Sequence, residues 1–190
     1  GWHLHINSGG GSVFAGMAIY NMLVNYSGTV TTYIDGLAAS IASVIALAGD
    51  RVIMRTGSSM MIHKPMLILI GGYNANDLSK MAGDLDEIQK CIMQVYEKRK
   101  AESADIANIE EKVNSETWIS SDEAALLFDI ETDGEEEAVA SIKSDFIAKY
   151  TKGIPQQYAQ EQPENKSDEY IASEEARDKA LAEIEILKLN

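Results

Sequence analysis

The sequence predicts an α/β fold, a mainly parallel sheet with covering helices, and three observations carry that prediction. Residues 2–6 (Trp2-His3-Leu4-His5-Ile6) alternate and run into Asn7-Ser8-Gly9-Gly10-Gly11, a strand ending in a glycine loop. Three more short strand patterns follow: the β-branched residues 29–34, then 51–54, then 60–63. Helical patterns separate the first three strands, so the order is strand–helix–strand–helix–strand–strand, the alternation of a parallel sheet with right-handed crossovers. In such sheets functional sites lie beyond the carboxyl ends of the strands. The glycine loop, the turn at Ser40 and His63 all fall at such ends.

Each element has a local reason. Residues 13–26 carry apolar side chains at Val13, Met17, Ile19, Tyr20, Leu23 and Val24, the spacing of a helix, and Ser27-Gly28 breaks it. Gly36-Leu37-Ala38-Ala39-Ser40-Ile41-Ala42-Ser43 reads as a tight glycine turn opening directly into an apolar helix that Gly49 closes. Ser58-Ser59 turns the chain into the strand that ends at His63-Lys64-Pro65. Residues 66–73 combine an apolar run with Gly71-Gly72 and read as an arm, with an ordinary internal strand as the alternative. Asn76 or Asp77 caps a long helix over about 77–103, with Leu78, Met81, Leu85, Ile88, Ile92 and Val95 on its apolar face. Residues 110–115 form a short helix, 117–119 are extended, and Ser120 or Ser121 starts a helix bearing Ala124, Ala125, Leu127 and Phe128. Three divisions follow. Residues 1–134 make the main domain, 135–153 an amphipathic helix that closes it, and 154–190 an acidic linker and tail helix. Because residue 1 opens directly onto a core-like strand, preceding strands and helices are expected to be missing.

Composition excludes several classes. Lys and Arg number 16 against 30 Asp and Glu, a net charge of −14, so the chain repels phosphate backbones and no nucleic acid partner is expected. A single cysteine, Cys91, rules out an internal disulfide framework and fits a reducing, cytoplasmic setting; its helical context predicts a buried packing role. The most apolar stretch, residues 34–49, is too short to span a bilayer and contains Asp35, Ser40 and Ser43, so no membrane partner is expected.

The chemistry concentrates in three places. The glycine loop lacks the third spaced glycine and the following acid of a dinucleotide fingerprint, and the chain has no Walker lysine. Its glycines instead let backbone N–H groups face a cleft, as an oxyanion hole requires. Ser40 sits where first-turn N–H groups lack intrahelical partners; it is either a nucleophile or a small residue that allows close packing. His63 follows Ser40 by 23 residues, across one helix and two short strands, and is either its base or a structural histidine. No metal or cofactor is called for.

INSGGGSVFAGMAIYNML, VTTYIDGLAASIASVIALAG and MIHKP together resemble the proteolytic subunits of the Clp protease family. The family pattern is a strand, INSPGG, a helix, G-x-AAS and MIHQP, and the resemblance covers roughly residues 4–130. It implies the fold shared by Clp proteases and crotonases, with a long handle helix. It also implies that Ser40 is the nucleophile, His63 the base, and the backbone N–H groups of Gly11 and Ile41 the oxyanion donors. The third triad member is carried over to Glu116, two residues before Trp118 in Trp118-Ile119-Ser120-Ser121-Asp122-Glu123-Ala124. Alternatively, Glu116 is a surface acid and Asn114, or nothing, supports His63; Asp122 and Asp129 are weaker candidates. Gly9 in place of the family's proline, the short link Gly49-Asp50-Arg51, and ETWISSDEA resemble the phage and prophage branch, the head-maturation proteases.

The resemblance further implies a serine endopeptidase acting on polypeptides inside a ring chamber. The ring is a homo-oligomer, heptameric and stacked in pairs, interlocked through the arm and the long helix. Substrates would be phage capsid or scaffold proteins, and the enzyme would be either ATP-independent or gated by an AAA+ unfoldase. Two rivals stand beside it. One is a catalytically inactive ring protein of the same family; the other is a crotonase-like acyl-CoA enzyme, which needs no Ser–His pair. A membrane-bound Ser–Lys peptidase has no membrane segment to support it.

Overall fold

A computed structural model describes residues 1–133. The proposed divisions at 135–153 and 154–190 lie outside the described residues. Six strands and five helices follow in order: β1 (Trp2–Ser8), α1 (Val13–Val24), β2 (Val30–Ala39), α2 (Ile41–Ala46), β3 (Arg51–Arg55), β4 (Ser59–Ile62), α3 (Ala75–Arg99), α4 (Ile106–Asn114), β5 (Thr117–Ser120), α5 (Ser121–Leu127) and β6 (Glu131–Asp133).

The sheet is organised on β2. β1 runs parallel along one edge, pairing Trp2 with Val30 at one end and Ser8 with Ala38 at the other. The opposite edge is shared: β3 lies parallel beside residues 31–34, and β4 parallel beside residues 37–39. β6 extends the sheet from β3 in parallel, whereas β5 pairs antiparallel with β4, so the sheet is mixed rather than wholly parallel. β2 is buried at nearly every position because strands flank it on both edges and helices pack against it.

Two sequence expectations need correction here. Gly36 is not a turn. β2 continues through it to Ala39, because Leu37, Ala38 and Ala39 find partners in Ser59, Met60 and Met61 of β4. Local propensity, which reads a glycine and two alanines as the end of a strand, is overridden by this pairing. Cys91 is not buried. The inward face of α3 is set by Ile92, Val95 and Tyr96, and Cys91 lies on the solvent side of the helix.

The other differences are smaller. α3 starts earlier than expected, because Asn74 caps it through the N–H groups of Asn76 and Asp77, and the Asp77 carboxylate accepts from the Asn74 N–H to complete a capping box. α4 begins at Ile106 with Asp105 as its cap. Ser120 caps α5 with a second capping box through Glu123. The apolar run Met66, Leu67, Ile68, Leu69 and Ile70 forms no strand and is exposed, as is Leu78 at the start of α3. Among the described residues no helix is long and apolar enough to cross a membrane.

The main core lies on one face of the sheet, where Ile34, Ala38, Met54, Met60 and Ile119 meet Val44, Leu47, Tyr96, Ile109 and Phe128, and a smaller cluster of Leu37, Ala39 and Met61 with Trp118 lies on the other face. α1 rests on α2 at a point where only glycine fits. A Cβ on Gly16 would lie 2.2 Å from Cγ1 of Ile41, which is itself buried. Gly16→Ala is therefore expected to cost roughly 1–3 kcal/mol, the usual penalty for overpacking a filled core. Thermal unfolding checks this: the midpoint should fall in Gly16→Ala and recover in part when Ile41 is truncated to Ala, which removes the clashing γ-carbons.

Candidate active site

Ser40 lies at the junction of β2 and α2 with φ 56° and ψ −129°. A non-glycine residue in this region costs on the order of 1–3 kcal/mol and persists only when its surroundings hold it there. They do so from both directions. The Ser40 N–H donates to the Met61 carbonyl at 2.8 Å, stitching the end of β2 to β4. The Ser40 carbonyl accepts the Ser43 N–H at 3.0 Å and the Ser43 hydroxyl at 2.5 Å. The Ser40 side chain caps no helix N–H, although it occupies the N-cap position of α2. Its Oγ lies 2.8 Å from His63 Nε2.

His63 reaches that contact through sheet register. It follows the last residue of β4, two positions beyond Met61, whose carbonyl holds the Ser40 amide. β5 sets the other side. Ile62 pairs with Thr117 as the last pair of the antiparallel ladder, and Glu116, just before that pair, is near enough for its charge to act on His63. His63 is buried, and burial pushes its pKa below 6.5; the negative charge of Glu116 acts in the opposite direction. At neutral pH the imidazole is therefore mainly neutral and has a ring nitrogen that can accept a proton.

Glu116 itself has φ 48°, in the left-handed region. It follows Ser115, the C-cap of α4, at a position where helices usually turn out through a glycine or asparagine. A glutamate there is a local cost in the chain and places a carboxylate beside His63.

The glycine loop closes the site from the side of β1. Gly10 has φ 89°, and a Cβ there would meet Ser40 Cβ at 2.7 Å and the Ala39 carbonyl oxygen at 2.8 Å. Gly11, the glycine singled out by the sequence, has open space where its side chain would be. The two glycines thus do different things: Gly10 lets the loop lie against Ser40, and Gly11 leaves the adjacent volume empty. Ile41 follows Ser40 as the first residue of α2, where an N–H has no intrahelical acceptor.

Ser40, His63, Glu116 and the loop at Gly10 and Gly11 are thus gathered at one sheet edge. The rival supports for His63 sit in other contacts. The Asn114 amide oxygen accepts the Gln89 side chain at 3.4 Å, Asp122 lies in the exposed first turn of α5, and Asp129 is exposed with its backbone N–H bonded to the Arg99 carbonyl. Two residues escaped the sequence reading. Ser43 hydrogen-bonds the Ser40 carbonyl, and Tyr96 on α3 lies 2.7 Å from that same hydroxyl. The i+3 spacing of Ser43 from Ser40 on a helix start was a usable signal; Tyr96, 53 residues away, gave none.

The family model described as Clp protease matches residues 2–127. The chain belongs to the Clp protease family. It is 38% identical over 124 residues to the ATP-dependent Clp protease proteolytic subunit 1 of Chlamydia abortus, an alignment covering 63% of this chain and 62% of the relative. The corresponding subunit 1 of Protochlamydia amoebophila is 32% identical over 121 residues, covering 63% and 58%. The ATP-dependent Clp protease proteolytic subunit of Leuconostoc citreum is 30% identical over 122 residues, covering 63% and 60%. The chain thus spans about three fifths of the length of these curated relatives. The matched residues include Gly10, Gly11, Ser40, Ile41, His63 and Glu116.

The arrangement makes a titration prediction. Replacing Glu116 by Gln removes the charge that raises the His63 pKa and leaves the burial that lowers it. His63 is then expected to titrate at lower pH than in the unaltered chain, as followed by the NMR shift of its ring proton. Glu116→Gly should produce the same downward shift without lowering the unfolding temperature, because glycine relieves a left-handed backbone that costs an L residue about 1–2 kcal/mol. An upward shift in either variant would contradict the placement of Glu116 beside the imidazole.

Proposed function

We propose that this chain is the proteolytic subunit of a serine endopeptidase. In this reading Ser40 is the nucleophile, His63 the general base, Glu116 the acid that orients the imidazole, and the backbone N–H groups of Gly11 and Ile41 the oxyanion donors. The observation that carries it is the 2.8 Å contact between Ser40 Oγ and a buried, neutral His63 at a strained strand-to-helix turn.

The steps follow from the groups present. The Ser40 hydroxyl donates to Nε2, so the Nδ1 proton faces the Glu116 side. As Oγ attacks a peptide carbonyl, His63 takes its proton and the imidazolium is stabilised by the Glu116 charge. In this reading the developing oxyanion is bound by the Gly11 and Ile41 amides. His63 then protonates the leaving amine, and water repeats the sequence on the acyl-enzyme, releasing the acid and restoring Ser40.

Assembly belongs to the same proposal. The exposed apolar arm at residues 66–70, continued by Leu78 on α3, is a liability on a lone chain, and a stacked homo-oligomeric ring, heptameric by the family resemblance, would bury it. Polypeptides would enter the chamber either unaided or from a partner AAA+ unfoldase. Gly9, the Gly49-Asp50-Arg51 link and ETWISSDEA support a phage or prophage origin, with capsid or scaffold proteins as substrates in the bacterial cytoplasm.

A fluorophosphonate probe on the assembled protein tests the chemistry. The adduct is expected on Ser40 by mass spectrometry and absent in Ser40→Ala. Hydrolysis of an unstructured peptide should fall to background in Ser40→Ala and His63→Ala, and by about 10²-fold or more in Glu116→Gln. Gly10→Ala, which drives a Cβ into Ser40, should abolish labelling while the chain stays folded. A folded, assembled wild-type chain that takes no label on Ser40 would reduce the protein to a ring-forming relative without catalysis.

A further inference from the structure

Ser43 and Tyr96 take no part in the steps above, yet they lead directly to them. The Ser43 hydroxyl donates to the Ser40 carbonyl at 2.5 Å, alongside the Ser43 N–H at 3.0 Å. A serine has one hydroxyl proton. With that proton committed to Ser40, the Tyr96 hydroxyl, 2.7 Å away, must be the donor in the second contact. Tyr96 is 1% exposed and its ring is tilted against Phe128. Burial pushes its pKa up to about 12, so the phenol keeps its proton at any working pH.

The Ser40 carbonyl matters because of what shares its peptide unit. A peptide is planar and trans, so the C=O of Ser40 and the N–H of Ile41 point in opposite directions from one rigid plate. Whatever fixes the direction of that carbonyl fixes the direction of the Ile41 N–H. At φ 56° and ψ −129° this plate sits in a conformation that a serine does not hold unaided. The carbonyl is held from α2 by Ser43, and Ser43 is held from α3 by Tyr96.

We propose that Ser43 and Tyr96 are positioning residues that lock the Ser40–Ile41 peptide so that the Ile41 N–H faces the oxyanion. The inference rests on the reading of Ser40 as nucleophile. The interaction is made through the transition state and not the ground state, so its loss appears in kcat. Ser43 is the nearer link and Tyr96 acts through it.

Steady-state hydrolysis of an unstructured peptide by the assembled protein tests this, with Ser43→Ala, Tyr96→Phe, the double variant, and a peptide boronate as a transition-state mimic. Expected are a kcat about tenfold or more lower in Ser43→Ala and about threefold or more lower in Tyr96→Phe, fractions of the 10²–10³ a lost oxyanion donor costs. KM stays unchanged, and the boronate weakens in parallel with kcat. The double variant should match Ser43→Ala alone, because both residues act along one route. Tyr96→Phe retains the ring and its packing, so it keeps the test decisive if Ser43→Ala folds poorly. A Tyr96→Phe chain with unchanged kcat and boronate affinity, or losses that appear in KM, would overturn the inference while Ser40 labelling in the wild type left the protease reading intact. A wild type that neither labels nor hydrolyses would overturn both.

Discussion

The backbone of Ser40 is the constraint on which the rest of the site depends. A serine at positive φ is unfavourable by itself, and the fold holds it by gripping the two peptide groups around it. The Met61 carbonyl takes the N–H on one side; Ser43 supplies two donors to the carbonyl on the other. Release of either grip would let the turn relax toward an ordinary helix start, with the hydroxyl drawn into capping. In the observed turn the hydroxyl instead faces His63, and the strain at Ser40 is offset by interactions spread over β4, α2 and α3.

The electrostatics follow from the same geometry. His63 sits at the end of a fully buried strand, where desolvation disfavours the imidazolium and a carboxylate beside it favours that ion. The balance leaves a neutral imidazole at rest and a charged one that is stabilised when it forms. Glu116 reaches this position only because β5 is antiparallel to β4 and because the chain accepts a left-handed residue just before β5 begins. Two strained residues, Ser40 and Glu116, therefore flank His63 on either side. Strain at both points marks the places where local preference yields to the site.

Much of this was legible in the sequence. The strand–helix alternation, the glycine loop, the small-residue run before Ser40 and the MIHKP strand end each carry a local signal: β-branching, helical periodicity, or a turn residue. The departures from the sequence expectations share a cause: they depend on residues distant in the chain. The extension of β2 through Gly36 is decided by β4, a segment twenty residues away, and no local property of Gly-Leu-Ala-Ala announces it. The helical context of Cys91 predicts burial, whereas the inward face of α3 narrows to Ile92, Val95 and Tyr96. Gly10, and not only Gly11, proved to be the residue that close approach to Ser40 requires, and that depends on where the loop is laid.

Residue types and their order are readable without the fold: a serine at a helix start, a histidine at a strand end, a glycine loop before both, and an acid late in the domain. Periodicity and turn chemistry are local, so they survive in a one-dimensional reading. That the Glu116 charge acts on His63, that β4 holds the Ser40 amide, and that Tyr96 reaches the Ser40 carbonyl through Ser43 is visible in the folded chain alone. These are contacts between residues 21 to 53 positions apart. They are set by register and packing, in which a one-residue slip of a strand turns every side chain to the opposite face.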